Sequence, residues 1–314
     1  MITIDHVTKR YGDKVAVDDV SFTIRKGEIL GFLGRNGAGK TTTMNIVTGY
    51  ISSNQGTVTL DGASILEEPR EFKRRIGYLP EQPPLYFDMT VRDYLSFVCD
   101  IKEVRKKSQK AHIDDICDLV KITDVQKRLI KNLSKGYKQR VGLAQALVGN
   151  PEVIIMDEPT VGLDPRQIIE IRSLIRDLGQ DHTVVLSSHI LPEVQDVCER
   201  VVIINKGKIV AEDKLENLTR GIGESSSLTV RVAGPEKQVA DRLRALEGVR
   251  EVSMLGQKET GSYDYIMVTR READVRRTMF NDMARQGWPI LMLKPMDMTL
   301  EDVFIQLTGE KEVV

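Results

Sequence analysis

Polar and apolar positions alternate along some parts of the chain and separate into blocks in others. Ile2, Ile4 and Val7 begin an alternation that breaks at Lys9-Arg10-Tyr11-Gly12. Val20, Phe22 and Ile24 then alternate with Ser21, Thr23 and Arg25. A period of two predicts half-buried strands. Residues 54–62 add a strand that closes in an Asp61-Gly62 turn, so an antiparallel sheet is expected in this part of the chain. Ile29-Leu30-Gly31-Phe32-Leu33, Val153-Ile154-Ile155-Met156 and Thr183-Val184-Val185-Leu186 are apolar runs instead. Such runs predict buried strands of the kind found in parallel sheets. Residues 74–79 predict one more strand, which enters a loop stiffened by Pro80, Pro83 and Pro84.

Between these strands the period changes to that of a helix. From Thr90 to about Val120 the pattern is helical, with Thr90 as a cap and Asp93 three residues on. Ile113, Ile116, Cys117 and Val120 form one apolar face. The charged run 102–110 predicts a solvated connection. Val141 to Leu147 predicts a buried helix opened by the turn at Leu133-Ser134-Lys135-Gly136. A turn at 161–165 leads into a helix through Ile175. Residues 201–204 and 208–211, joined by Asn205-Lys206-Gly207, predict a closing hairpin.

Residues 221–227, Gly-Ile-Gly-Glu-Ser-Ser-Ser, predict a linker. The pattern beyond it is different. Strands are expected at 228–232, 252–255, 263–268 and 289–293, with helix faces at Val239, Leu243 and Leu246 and at Val275, Met279 and Met283. A last helix carries Leu300, Val303, Phe304 and Leu307. The order βαββαβ plus a helix predicts a small α+β ferredoxin-like domain over 228–314. No catalytic constellation stands out in it, and its methionines read as core filler.

Composition narrows the class. Lys and Arg total 45 against 46 Asp and Glu, a net charge of −1, so no overall field attracts nucleic acid or an anionic membrane surface. Three dispersed cysteines, Cys99, Cys117 and Cys198, have neither disulfide nor zinc spacing and fit a reducing compartment. No signal peptide is expected at the N-terminus. No run approaches the length of a membrane span, so any membrane crossing falls to another chain.

The chemistry gathers around Gly34-Arg35-Asn36-Gly37-Ala38-Gly39-Lys40-Thr41-Thr42. This run fits the P-loop pattern and lies between a buried strand and a helix, as that motif requires. Its glycines let backbone N–H groups surround phosphate oxygens, and the helix N-terminus adds positive potential. Lys40 is expected to reach the β- and γ-phosphates, and Thr41 to ligate Mg²⁺. Asp157 and Glu158 end the apolar strand at 153–157, at the rim where α/β proteins bind ligands. Asp157 is expected to hold Mg²⁺. Glu158, pointing the other way along the strand, is expected to polarise water as a general base. Gln82 offers an amide oxygen to Mg²⁺ or water. His189 follows a buried strand and can contact a γ-phosphate. Ser134 and Gly136 open a second helix N-terminus suited to an anion. Tyr11, expected in a loop, is either a base-stacking residue or an ordinary surface tyrosine.

Taken together, residues 1–220 resemble the ATP-binding subunit of an ABC transporter, an α/β P-loop nucleotidase with antiparallel β and helical subdomains, the latter at about 88–150. The resemblance makes 34–42 the Walker A loop, 153–157 the Walker B strand, Glu158 the catalytic carboxylate, Gln82 the Q-loop glutamine and His189 the switch histidine. Tyr11 then stacks on adenine, and Gly162-Leu163-Asp164 is the D-loop. Leu133-Ser134-Lys135-Gly136-Tyr137 resembles the signature motif but carries Lys135 and Tyr137 where Gly and Gln are usual. Within the family the chain looks like ATPases of ABC-2-type exporters, the gliding-motility-associated, multidrug, antibiotic and sodium export group.

That resemblance implies a second ATPase subunit, identical or paralogous, with ATP and Mg²⁺ between the two. It also implies an integral membrane permease partner, no nucleic acid, and a location on the cytoplasmic face of the membrane. A soluble ABC-type ATPase of DNA repair is disfavoured because no sustained heptads separate the P-loop from the signature. A translation-associated ATPase would carry two cassettes. A regulatory module that binds ATP without hydrolysing it would not need both Glu158 and His189.

Overall fold

The computed structural model describes residues 1–221, 225–259, 261–270 and 273–296, together with Leu300 and Phe304. The chain divides into two compact units, Met1–Leu215 and Glu216–Val314.

The first unit opens with the hairpin β1 (Ile2–Tyr11) and β2 (Lys14–Ile24), followed by β3 (Ile29–Leu33) and α1 (Lys40–Val47). Then come β4 (Gln55–Leu60), the short β5 (Ala63–Ser64), α2 (Pro69–Arg75) and β6 (Ile76–Leu79). Three helices follow, α3 (Val91–Ile101), α4 (Lys106–Leu119) and α5 (Lys135–Leu147). The last part runs β7 (Val153–Asp157), α6 (Pro165–Asp181), β8 (Thr183–Ser188), α7 (Leu191–Val197), β9 (Arg200–Asn205) and β10 (Lys208–Lys214). Helix α8 (Leu215–Gly221) begins at the division between the units.

Two sheets result. The four-stranded one has the order β2-β1-β4-β5 and is antiparallel. The six-stranded one has the order β10-β9-β3-β8-β7-β6, parallel except for β10. Every residue of β3, β7 and β8 is buried, as their unbroken apolar runs require. Met44, Ile46 and Val47 of α1 belong to one core with Ile2, Phe22 and Val58 of the first sheet and Phe32, Ile155 and Val202 of the second. Helix α1 is therefore locked to both sheets, and the loop before it has a fixed base.

The break in alternation near Lys9 is a series of register shifts in β1, and the strand runs on to Tyr11, which pairs with Lys14. Tyr11 thus ends a strand at a hairpin tip, where a loop position was expected. The helical segment is as its caps predict: the Thr90 hydroxyl accepts from Asp93 N at 3.2 Å and starts α3. Arg74 and Arg75 end α2, so the strand expected from residue 74 begins at Ile76.

The second unit contains β11 (Ser225–Ala233), α9 (Glu236–Arg244), β12 (Val249–Glu259), β13 (Ser262–Arg270), α10 (Arg276–Arg285) and β14 (Ile290–Met296). Its antiparallel sheet has the order β12-β13-β11-β14, the arrangement of a ferredoxin-like βαββαβ unit. Val230, Leu243, Tyr265, Met267, Met279 and Met283 form its core. Of the predicted linker, 222–224 lie outside the described residues and Ser225 already opens β11. Of the predicted last helix, Leu300 and Phe304 are helical and buried, while Val303 and Leu307 lie outside the described residues.

Candidate functional site

The loop between β3 and α1 is shaped by its glycines. Gly37 and Gly39 have φ of 80° and 112°, values that side chains with a Cβ rarely adopt. A Cβ on Gly39 would also fall 2.6 Å from the Ala16 carbonyl oxygen. The helix starts at Lys40. Lys40 is buried and its ammonium donates to the carbonyl of Gly34 at 2.8 Å and of Arg35 at 3.3 Å. Arg35, Asn36 and Gly37 are exposed, Ala38 is buried, and Thr41 and Thr42 are exposed and half-buried.

Across from Lys40 stand the ends of β7 and β8, which are adjacent and parallel, with Asp157 opposite Ser187. Glu158 lies beyond the strand in a left-handed conformation, φ 50°. Its direction is therefore set by a turn, not by strand alternation as the sequence had suggested. The turn is held by Glu158 N donating to Ser187 O at 3.1 Å. It brings Glu158 Oε1 to 3.1 Å from Lys40 Nζ, and Oε2 to 2.8 Å from His189 Nδ1. Lys40, Glu158 and His189 are thus one contiguous cluster, with Glu158 5% exposed at its centre.

Asp157 is fully buried. Its Oδ1 accepts from the Ser187 hydroxyl, and its Oδ2 is buried with no hydrogen-bond partner. Burial pushes the Asp157 carboxyl up, and hydrogen bonding to Ser187 and Thr41 opposes that only in part. An orphaned carboxylate oxygen next to a threonine hydroxyl at a helix N-terminus is a donor set that fits a hard cation such as Mg²⁺.

A cavity of about 1080 Å³ opens beside this point, between the sheet and the helices α3 and α5. Thr41, Asp157 and Gln82 line it together with Tyr86, Tyr94 and Phe97. Gln82 is exposed there. Tyr78 and Asn45 also line the cavity and bond to each other, Tyr78 Oη donating to Asn45 Oδ1 at 2.9 Å. Ser187, Asn45 and Tyr78 were missed in the sequence. Only the polar Ser187-Ser188 ending of an apolar strand gave a signal.

Three predicted residues are not brought into this cluster. Tyr11 is 51% exposed at the hairpin tip, with Lys9 Nζ 5.5 Å from its ring centre. Ser134 is exposed and caps α5, accepting from Tyr137 N at 3.4 Å. Gly136 is buried against the Gln167 side chain, which a Cβ would meet at 2.5 Å. Tyr137 Oη bonds to Asp124 Oδ2 at 3.1 Å, so this departure from the usual signature is tied to its own helical subdomain.

A buried strand, a glycine-shaped loop, a lysine at a helix start and carboxylates at the end of β7, one strand removed across β8, define a P-loop nucleotide-binding domain. Comparison with known proteins narrows this further. The family described as ABC transporter matches residues 17–161. The uncharacterised ABC transporter ATP-binding protein YhcH of Bacillus subtilis is 34% identical, over 99% of this chain and 96% of that protein. The linearmycin resistance ATP-binding protein LnrL of the same organism is 30% identical over 98% of each. The bacitracin transport ATP-binding protein BcrA of Bacillus licheniformis is 38% identical over 70% of this chain and 72% of its own length. Among solved structures, a dimeric bacterial ABC transporter cassette is similar with a TM-score of 0.64 at 26% identity, covering 68% of this chain and 99% of that one. The chain belongs to the ATP-binding proteins of ABC transporters. Among the described residues no helix is long and apolar enough to cross a membrane.

Proposed function

We propose that this chain hydrolyses ATP at the cluster around Lys40 and thereby drives export through a separate ABC-2-type membrane permease. The observation that carries the reading is the convergence of Lys40, Glu158 and His189 on one buried point beside Thr41 and Asp157. The Gly34–Thr42 loop binds the phosphates, and Lys40 neutralises charge on the β- and γ-groups. Glu158 takes a proton from the attacking water, while His189 orients Glu158 and contacts the γ-phosphate. Thr41, Asp157 and Gln82 would hold Mg²⁺, which when bound supplies charge neutralisation at the phosphate oxygens. Tyr11 offers its exposed ring to the base.

Ser134 and Gly136 act on the nucleotide of a second subunit, identical or paralogous. Their placement on α5, away from the cluster, supports that division of labour. Two ATP molecules then join two chains, and hydrolysis releases them. The names of the relatives, bacitracin transport and linearmycin resistance, support export. The permease places the chain on the cytoplasmic face of the membrane, and the ferredoxin-like unit assists dimerisation or regulates turnover.

The test uses tagged Glu158→Gln with ATP and Mg²⁺, purified from detergent-solubilised native membranes. Recovery of a polytopic membrane protein is expected. An ATP-dependent dimer that carries no membrane protein would overturn the permease, and wild-type turnover by the variant would overturn Glu158 as base.

A further inference from the structure

Glu193, in the first turn of α7, is 1% exposed. Three other buried carboxylates face cations, Glu28 meeting Arg200, Glu158 meeting Lys40 and Asp264 meeting Arg231, while Asp157 bonds to the Ser187 hydroxyl. The recorded partners of Glu193 are hydroxyls instead. Its Oε2 accepts from Thr160 Oγ1 at 2.7 Å and from Ser188 Oγ at 3.1 Å. Its Oε1 is buried and has no hydrogen-bond partner. Thr160 and Ser188 are themselves buried, at 3% and 0% exposure. Burying a carboxylate with one oxygen unsatisfied weakens a fold, and an apolar side chain of that size would fill the space without the penalty.

What the carboxylate supplies is a connection between two catalytic segments. Thr160 lies two residues after Glu158, in the turn where Val161 N donates to Glu158 O at 3.2 Å. Ser188 immediately precedes His189, and its hydroxyl also accepts from Ile190 N at 3.0 Å. The parallel ladder of β7 and β8 ends at Asp157 and Ser187. Beyond it, Glu193 links the two segments through their side chains. The segments it links carry the two groups that must meet, Glu158 Oε2 and His189 Nδ1.

We propose that Glu193 is a positioning residue for ATP hydrolysis, holding the Thr160 turn against Ser188 so that Glu158 and His189 stay in register. It acts through those two hydroxyls and touches neither nucleotide nor water. The inference rests on the reading of Glu158 as general base. A displacement of the base by a fraction of an ångström lowers the rate of the chemical step without changing how phosphates are held at the P-loop.

The test is steady-state hydrolysis of MgATP by the full chain, as wild type, Glu193→Ala, Glu193→Gln, Thr160→Val and Glu158→Gln. Affinity for a fluorescent ATP analogue is measured on the same proteins. Glu193→Ala and Thr160→Val are expected to lower kcat about 10- to 100-fold. KM and analogue affinity should stay within about twofold. A Glu193→Ala/Thr160→Val double variant, measured alongside, should be no slower than the slower single one, because both remove the same link. Glu193→Gln keeps an acceptor oxygen for both hydroxyls and should return kcat to within about threefold of wild type. Wild-type kcat in Glu193→Ala, or a parallel loss of kcat and analogue affinity, overturns the proposal. If Glu193→Ala does not fold, Thr160→Val decides by the same criteria. Wild-type turnover in Glu158→Gln would instead remove the base on which the inference rests, an outcome separate from failure of the Glu193 link alone.

Discussion

Lys40 Nζ lies 3.1 Å from Glu158 Oε1, with both side chains almost fully buried. The lysine of the P-loop and the carboxylate that follows β7 compensate each other's charge. A buried pair of this kind is sustained by its own Coulomb attraction, and losing one partner leaves the other uncompensated. On the proposed function a γ-phosphate competes with Glu158 for Lys40, so nucleotide binding is expected to work against this contact. Glu158→Gln weakens the contact, and we expect it to bind ATP about 1 kcal/mol more tightly, roughly fivefold. Equilibrium titration of the two proteins checks this; equal or weaker affinity in the variant would contradict it.

Gly39 tests the geometry of the loop. At φ 112° an alanine is strained, and its Cβ meets a backbone oxygen that cannot swing away. Gly39→Ala should lose about 1–3 kcal/mol of stability, measured by chemical denaturation. It should also lose nucleotide binding, because relaxing the strain moves the amides that face phosphate.

The proposed role of Asp157 at Mg²⁺ makes stability a readout of metal binding. Its raised carboxyl means that the charged form is disfavoured in the fold, so the group destabilises the chain above its folded pKa and this is relieved as pH falls through it. Asp157→Asn should therefore melt no lower than wild type at neutral pH in EDTA. With ATP present, adding Mg²⁺ should raise the melting temperature of wild type and much less that of the variant. Equal rises in the two proteins would remove Asp157 from the metal site.

At the other end of the domain, Asp61 gives an acid limb. The amino group of Met1 and then Arg75 hold its carboxyl down at about 2, against an ordinary 3.8. A lowered pKa adds stability that is complete above about pH 4 and lost as pH falls toward 2. Asp61→Asn should flatten the pH dependence of unfolding in that window and leave it unchanged at pH 7. The group is half exposed, so the effect is small and screened by salt.

Thr90→Ala removes the cap of α3. It should lower protection of the first-turn amides against hydrogen exchange, at a stability loss of about 1 kcal/mol. ATP turnover should hardly change, since no residue of the Lys40 cluster touches the cap.

How far the sequence could be read follows from what each feature depends on. The strands β3, β7 and β8 were legible because burial on both faces leaves an uninterrupted apolar run. The cap at Thr90 was legible because it is a local hydrogen bond. Tyr11 was misplaced because β1 carries register shifts that interrupt the alternation while the ladder continues. The direction of Glu158 was misread because a left-handed residue abandons the strand period, and that conformation is stabilised by Ser187, some thirty residues away. Ser187 and the Thr160–Glu193–Ser188 link depend on which strands become neighbours. Strand order is a property of the whole sheet, and no local pattern encodes it.

That strand order has a consequence for how the protein is made. Among the described residues strand β3 pairs with β8 and β9, with Ile29 opposite Val184 and Leu30 opposite Arg200. On a ribosome working at about 5–20 residues per second, its partners arrive roughly 10–30 s after it does. For that interval the most apolar strand of the nucleotide site has no edge to join, and the P-loop has no base to rest on. The sheet that sets Lys40 against Glu158 is thus complete only once almost the whole first unit has been synthesised.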